Sequence, residues 1–250
     1  MVAPSRSSSD RAPAPLSQRT LLEEVLVVLS LSLLASAVYA IISLTSAPVK
    51  GATVFVVPQV GLPTQLANVA FGLAPVWLVL YLVRRNGEGA AAIGIAWDRP
   101  RRDIASGAVL FAVVAVAGIG VYLGSVALGV NRFVVPVPPL GHWWTVPVLL
   151  LRAAEAALTE EVIVVGYLIT RFQQFRASQA GAIGLSALLR GSYHLYQGWG
   201  GFAGNVALGI LFGLIFVRTR RTWPIVIAHF LLDVGAGAGY ILFRDHLPGA

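Results

Sequence analysis

Six ionisable side chains stand in apolar stretches where a hydrocarbon-spanning sequence should carry none. Glu160 and Glu161 are adjacent in one run, Arg190 and His194 lie four apart in a second, and His229 and Asp233 lie four apart in a third. An ionisable group deep in a membrane helix costs at least about 2.5–3.5 kcal/mol on insertion scales, so each is a functional candidate by default. Two carboxylates desolvated together do not both ionise readily without a cation, a proton or a metal beside them, and that is how a general base is made. The bland alternatives are an ion pair between helices for the glutamates and a hydrogen-bonded packing role for each histidine. Four-residue spacing places Arg190 with His194, and His229 with Asp233, on shared helical faces. Arg152 and Glu155, three apart and near the outer end of their run, read as a structural pair that reaches the headgroups.

The chemistry open to this set is narrow. The chain has no cysteine, which excludes thiolate catalysis, disulfides and Cys-ligated metals. With no Ser or Thr convincingly paired to a base, an activated water is the remaining nucleophile for hydrolysis, and Glu160 or Glu161 would deprotonate it. Arg190 cannot shed its proton to escape burial, so it must find carboxylates or open to water, and it is expected to pair with Glu160 or Glu161.

The elements that must position these residues are membrane helices. Apolar residues make up 57% of 250 and charged residues only 12%, and the mean hydropathy is +0.78, far from a water-soluble domain. The expected fold is all-α, a polytopic transmembrane bundle of about seven spans at 25–44, 66–83, 104–128, 147–169, 181–196, 203–217 and 223–242. Residues 1–20, rich in Ser, Pro, Ala and Arg, are expected to be a disordered cytoplasmic tail. Residues 21–143 would form N-terminal transmembrane helices and 144–245 the catalytic core. Ala35-Ser36-Ala37 resembles a signal cleavage site, but the run continues uncharged through Leu44, a span's length. Pro48, Pro58 and Pro63 suggest a loop between the first two spans. Gly209 with Gly213, and Gly181 with Gly184, suit close helix packing.

A formal net charge of +7 could suggest nucleic acid, but the Arg residues alternate between apolar runs and form no continuous basic face. Arg6, Arg11 and Arg19 in the tail, the loops at 84–103 and 171–178, and Arg218, Arg220 and Arg221 collect the positive charge. The alternate loops hold Lys50, Arg132 and Arg244 singly or nothing. The positive-inside rule then puts the N-terminus in the cytoplasm and the C-terminus outside, in an integral protein expected in the plasma membrane. Counted from the cytoplasmic ends of their helices, the glutamates lie roughly 13–15 Å, His194 roughly 20 Å and His229 roughly 10 Å deep, so all are expected to meet in the inner half of the bilayer.

The order Glu160-Glu161, then Arg190-Gly191-Ser192-Tyr193-His194, then His229-Phe230-Leu231-Leu232-Asp233 resembles the CPBP family of intramembrane endopeptidases, the CAAX-protease and bacteriocin-processing type, over roughly residues 145–245. The family motifs read EExxxR, FxxxH and HxxxN/D. Two positions depart: Val165 stands where the family has Arg, and Arg190 where it has Phe. A guanidinium lost from the glutamate helix would thus return one turn before His194. The resemblance implies peptide-bond hydrolysis by a Glu/His-organised water, with Glu160, Glu161, Arg190, His194, His229 and Asp233 as the site. It also admits a metalloprotease, in which Zn2+ would be held by His194, His229 and Glu160, although no HExxH signature supports zinc independently. The partners would be a membrane-associated peptide or protein substrate and the lipid bilayer, not nucleic acid. Two other classes compete: a catalytically inactive membrane adaptor, suggested by Val165, and a proton-coupled transporter.

Overall fold

The first helix, α1 (Gln18–Ser30), begins where Ser17 accepts from the Thr20 backbone amide and caps it. Residues 18–20, expected in the tail, are thus the first residues of a helix. The chain then bends by 54° into α2 (Leu33–Thr45). The bend has a local cause: the Ser30 and Ser32 hydroxyls donate to the Val27 and Val28 carbonyls at 2.9 and 2.6 Å, a back-bonding that distorts helices. The computed structural model describes residues 16–45, 54–56, 60–135 and 140–243. Pro48, Pro58, Lys50, Arg244 and the tail with Arg6 and Arg11 lie outside these, whereas Pro63 sits in the first turn of a helix and not in a loop.

That helix, α3 (Leu62–Gly72), runs into α4 (Ala74–Arg85), with Pro75 in the first turn of the second piece. There follow α5 (Pro100–Ala127), α6 (Thr145–Glu160), a π-helical segment (Glu161–Tyr167) that continues directly into α7 (Leu168–Gln174), α8 (Gln179–Tyr193), α9 (Trp199–Thr219) and α10 (Trp223–Phe243). The fold is the expected all-α bundle, with one three-residue parallel strand pair, Val54–Val56 with Phe133–Val135. Four helical stretches are long and apolar enough to cross a membrane, or five if the bent α1–α2 pair is one span. The remaining two expected spans miss that standard for identifiable reasons. The α6–α7 stretch carries Arg152, Glu155, Glu160 and Glu161, and α8 has only 15 residues.

Small residues set the closest helix approaches. A Cβ on Gly209 would stand 2.9 Å from the Ala187 backbone, and one on Gly213 2.9 Å from Ile183, so α8 and α9 pack through these positions and through Gly191. Gly181 and Gly184 do not serve that purpose: one meets only its own cap, Ser178, and the other faces open space.

The contacts give the bundle two distinct ends. At one, Glu24 takes hydrogen bonds from Arg85 and Asn86. Arg171 donates to Glu88 at 2.7 Å, and Arg220 reaches Gln173. Arg221 forks onto Asp103 at 2.6 and 2.5 Å and onto Asp98 at 2.9 Å, holding the Asp98 carboxyl below its ordinary range. At the other end, the Arg132 amide donates to the Gln197 carbonyl, Asn131 accepts from the Gly201 amide at 2.8 Å, and Arg132 meets Ser43. The three basic loops thus share one end. Arg171, read from the sequence as a loop cation, is instead fully buried between Glu88 and Glu24.

With no native cysteine, this two-ended arrangement can be read by single-cysteine labelling. Ser178→Cys, at the basic end, and Trp143→Cys, at a residue 82% exposed near the start of α6, should react from opposite sides of a membrane. Labelling of both from one side would remove the arrangement.

Candidate active site

The glutamate pair sits where the helix changes its winding. After Glu160 the chain runs through four β-branched residues, Val162 to Val165, and Gly166, and its turns widen to the π form. β-Branched side chains crowd a regular helix, and π-turns inside α-helices concentrate at functional sites. Two carbonyls of this stretch are taken up by hydroxyls: Ser186 of α8 donates to the Val164 carbonyl at 2.6 Å, and Thr170 to that of Gly166 at 2.7 Å. Gly166 has no room for a Cβ, which would fall 2.6 Å from the Ile93 carbonyl oxygen.

Three helices converge on Glu161. Its Oε1 accepts from Arg190 Nη1 of α8 at 2.6 Å and from His229 Nδ1 of α10 at 2.7 Å. The Glu161 side chain is 0% exposed and that of Arg190 1%. Arg190 also approaches Glu160, with Nη2 3.5 Å from Oε2, and its guanidinium lies over the Phe212 ring of α9, 5.5 Å from the centroid. His229 Nε2 stands 3.6 Å from Asp233 Oδ2, the partner expected one turn along α10. Arg190 therefore bridges both carboxylates and does not snorkel. Val165, the other departing position, is fully buried in an apolar cluster with Ile169, Phe216 and the same Phe212.

Glu160 has different surroundings. Its side chain is 14% exposed and takes a hydrogen bond from the Tyr193 hydroxyl at 2.9 Å. It lines a cavity of about 570 Å³ between α2, α6 and the end of α8, together with Thr159, Tyr193, His194 and Tyr196. His194 Nδ1 lies 3.0 Å from the Arg190 carbonyl oxygen. A carbonyl only accepts, so Nδ1 carries a proton, and in a neutral ring the lone pair is then on Nε2. Glu160 lies roughly 20 Å from either end of the continuous α6–α7 helix.

The expected metal ligands were His194, His229 and Glu160. The donor atoms that gather are those of Glu160, Glu161 and His229, all within 4.8 Å of one another, and His194 is outside the group. One carboxylate oxygen there, Glu161 Oε2, is buried with no hydrogen-bond partner. Two carboxylates, one imidazole and an unsatisfied oxygen suit a divalent cation, which would displace the proton His229 shares with Glu161. Tyr193 and Phe212 escaped the sequence reading. Neither bears a charge that the membrane penalises, and only the adjacency of Tyr193 to His194 gave any signal.

Removing one partner of a buried pair leaves the other uncompensated, typically at about 3–5 kcal/mol. Arg190→Leu is thus expected to lower the stability of the purified protein by about that amount in a reversible unfolding assay. The double change Arg190→Phe with Val165→Arg returns a guanidinium beside Phe212 and should recover part of the loss. A double variant no more stable than Arg190→Leu would show that the two positions do not compensate.

Comparison with known proteins agrees with the motifs. No curated protein and no solved structure matches the chain. The model of the type II CAAX prenyl endopeptidase Rce1-like family matches residues 142–235, a stretch that contains all six charged site residues and the helices that bring them together. Over that stretch, somewhat more than a third of the chain, the sequence is similar to the Rce1-like, type II CAAX prenyl endopeptidases.

Proposed function

We propose that this chain is an intramembrane endopeptidase in which Glu160 activates a water molecule against a peptide bond held in the α2–α6–α8 cavity. The observation that carries this reading is the inequality of the two glutamates. Glu161 is sealed and committed to Arg190 and His229, whereas Glu160 borders the cavity and keeps only the Tyr193 hydrogen bond and the more distant Arg190. A general base must reach both its water and the substrate, and only Glu160 is placed to do so.

The remaining residues follow from that assignment. Glu160 takes a proton from water as oxygen attacks the carbonyl carbon, and returns it to the leaving amine as the tetrahedral adduct collapses. Tyr193 fixes the carboxylate on its cavity side. His194, with Nδ1 held by the Arg190 carbonyl, presents Nε2 to accept from and orient the same water. Arg190 sets its positive charge between both carboxylates, and Glu161, His229 and Asp233 form the anchor that holds Arg190 in place. Were a divalent cation bound at Glu160, Glu161 and His229, it would act as a Lewis acid that lowers the pKa of a bound water. The substrate would be a peptide segment associated with the bilayer, in keeping with the CAAX endopeptidase family match.

Isosteric substitutions separate the two glutamates. Glu160→Gln should fold with near-normal stability and lose cleavage of a membrane peptide by about 10²–10⁴-fold, the usual contribution of a general base. Glu161→Gln should lose both stability and cleavage, since it breaks the pin between three helices. Full cleavage by Glu160→Gln would end this assignment, and metal analysis of the same purified samples would determine whether a cation accompanies the activity.

A further inference from the structure

A groove separate from the glutamate cavity lies between α6 and α10. It encloses about 260 Å³ and is lined by Ala154 and Leu158 of α6 and by Trp223, Val226, Ile227 and Phe230 of α10. All but Val226 are partly exposed, so the groove is open at the bundle surface. The α10 residues recur at helical spacing, which gives the groove one face and a length of roughly 10 Å from the first residue of that helix. Every lining side chain is hydrocarbon except the Trp223 indole, whose Nε1 is buried with no hydrogen-bond partner. An indole N–H only donates, and a buried one ordinarily finds an acceptor.

At Trp223 the groove meets a basic segment. Trp97, 62% exposed, packs edge-on against Trp223 with ring centroids 4.7 Å apart. Arg221, two residues before Trp223, ties the segment 96–103 to the head of α10 through the Ala96 carbonyl, Asp98 and Asp103. The start of α5 then lies directly on α10, where a Cβ on Gly107 would fall 2.7 Å from Ile227. Both carboxylates of the segment are taken up by arginines, Asp103 by Arg221 and Asp98 by Arg221 and Arg99. Arg101 and Arg102 are exposed and form no ion pair with another described residue. From the hydrocarbon groove, the orphan donor and the two uncompensated cations we infer that the α6–α10 groove holds an acyl chain of an anionic glycerophospholipid, its phosphate met by Arg101 and Arg102 and its ester oxygens beside Trp223. Basic pockets between membrane helices select anionic headgroups in this way, and paired indoles suit the headgroup level. A zwitterionic lipid of the same chains fills the groove equally but leaves the arginines without a net anion. The inference stands apart from the peptidase reading, since this groove and the glutamate cavity share no lining residue.

The test is native mass spectrometry of the purified full chain in an uncharged detergent, titrated with phosphatidylglycerol and with phosphatidylcholine of identical chains. The wild type should retain one phosphatidylglycerol at concentrations where phosphatidylcholine is lost, and glycerol phosphate should not displace it. Arg101→Gln with Arg102→Gln, at two exposed positions that leave the packing untouched, should weaken phosphatidylglycerol by about tenfold or more and bring it level with phosphatidylcholine. Ala154→Phe, which fills the groove from the α6 side, should weaken both lipids, and Leu158→Trp replaces it should that variant fail to accumulate. Equal retention of the two lipids by the wild type, or an unchanged preference in the double arginine variant, overturns the site. Retention unaltered in a folded groove-filling variant overturns the groove as the place of the chain. Displacement by glycerol phosphate makes a soluble phosphate ester the occupant and overturns the lipid.

Discussion

The Glu161 carboxylate, received at one oxygen by Arg190 and His229, is the constraint on which the packing of α6 to α10 depends. Moving an isolated carboxylate into a medium of low dielectric costs several kcal/mol even after relaxation, and a guanidinium fares no better. Neither can be placed at the centre of a helical bundle unless the other arrives with it. Since Glu161 belongs to the α6–α7 helix, Arg190 to α8 and His229 to α10, satisfying one oxygen fixes the relative rotation and depth of three helices. Phe212 adds the fourth, its ring lying under the guanidinium from α9. The apolar contacts around this group could tolerate a shifted register, whereas the charge contacts could not.

That pin also explains why two adjacent glutamates do different work. Successive residues on a helix point about 100° apart, so when Glu161 faces α8 and α10, Glu160 must face elsewhere, and α2 leaves a gap there. The π-helical winding that follows alters the turn below the pair. It also releases carbonyls that Ser186 and Thr170 then satisfy, so the distortion leaves no orphaned backbone acceptor at those positions. One position is thereby sealed between helices and its neighbour borders the cavity, a division that follows from helical geometry before any chemistry is considered.

Most of this site was legible in the sequence because a membrane makes charge conspicuous. Glu160, Glu161, Arg190, His229 and Asp233 stood out against uncharged runs, and four-residue spacing placed the partners on common faces. The same reasoning misread Arg171. A buried cation near a helix end and a loop cation look alike in sequence, and only the arrival of Glu88 and Glu24 from distant segments separates them. Tyr193 was invisible because a phenol carries no penalty in a span. The helix that carries the glutamates runs on to Gln174, beyond the apolar run that marked its end in the sequence. The bend between α1 and α2 was written in Ser30 and Ser32, but serines in a span are ordinary unless their hydroxyls are known to turn back on the helix.

A hydrolase inside a bilayer faces two opposed demands: water must reach the base, and the membrane must not acquire a path through the protein. In this chain Glu160 borders the cavity with Thr159, Tyr193 and His194, whereas the helix from Glu161 to Arg171 is packed on all sides. Below the glutamates lies an apolar layer of Val25, Val28, Val79, Ile163 and Leu168, and the next charged groups, Arg171 with Glu24 and Glu88, are already paired with one another. A proton relay would need titratable or hydrated groups spaced within hydrogen-bonding reach from one face to the other. Among the described residues the hydrogen-bonded groups run from Glu161 to His229 and Asp233, and the apolar layer separates them from Arg171 and its partners. A separation of this kind is compatible with hydrolysis, because hydrolysis needs water from only one side.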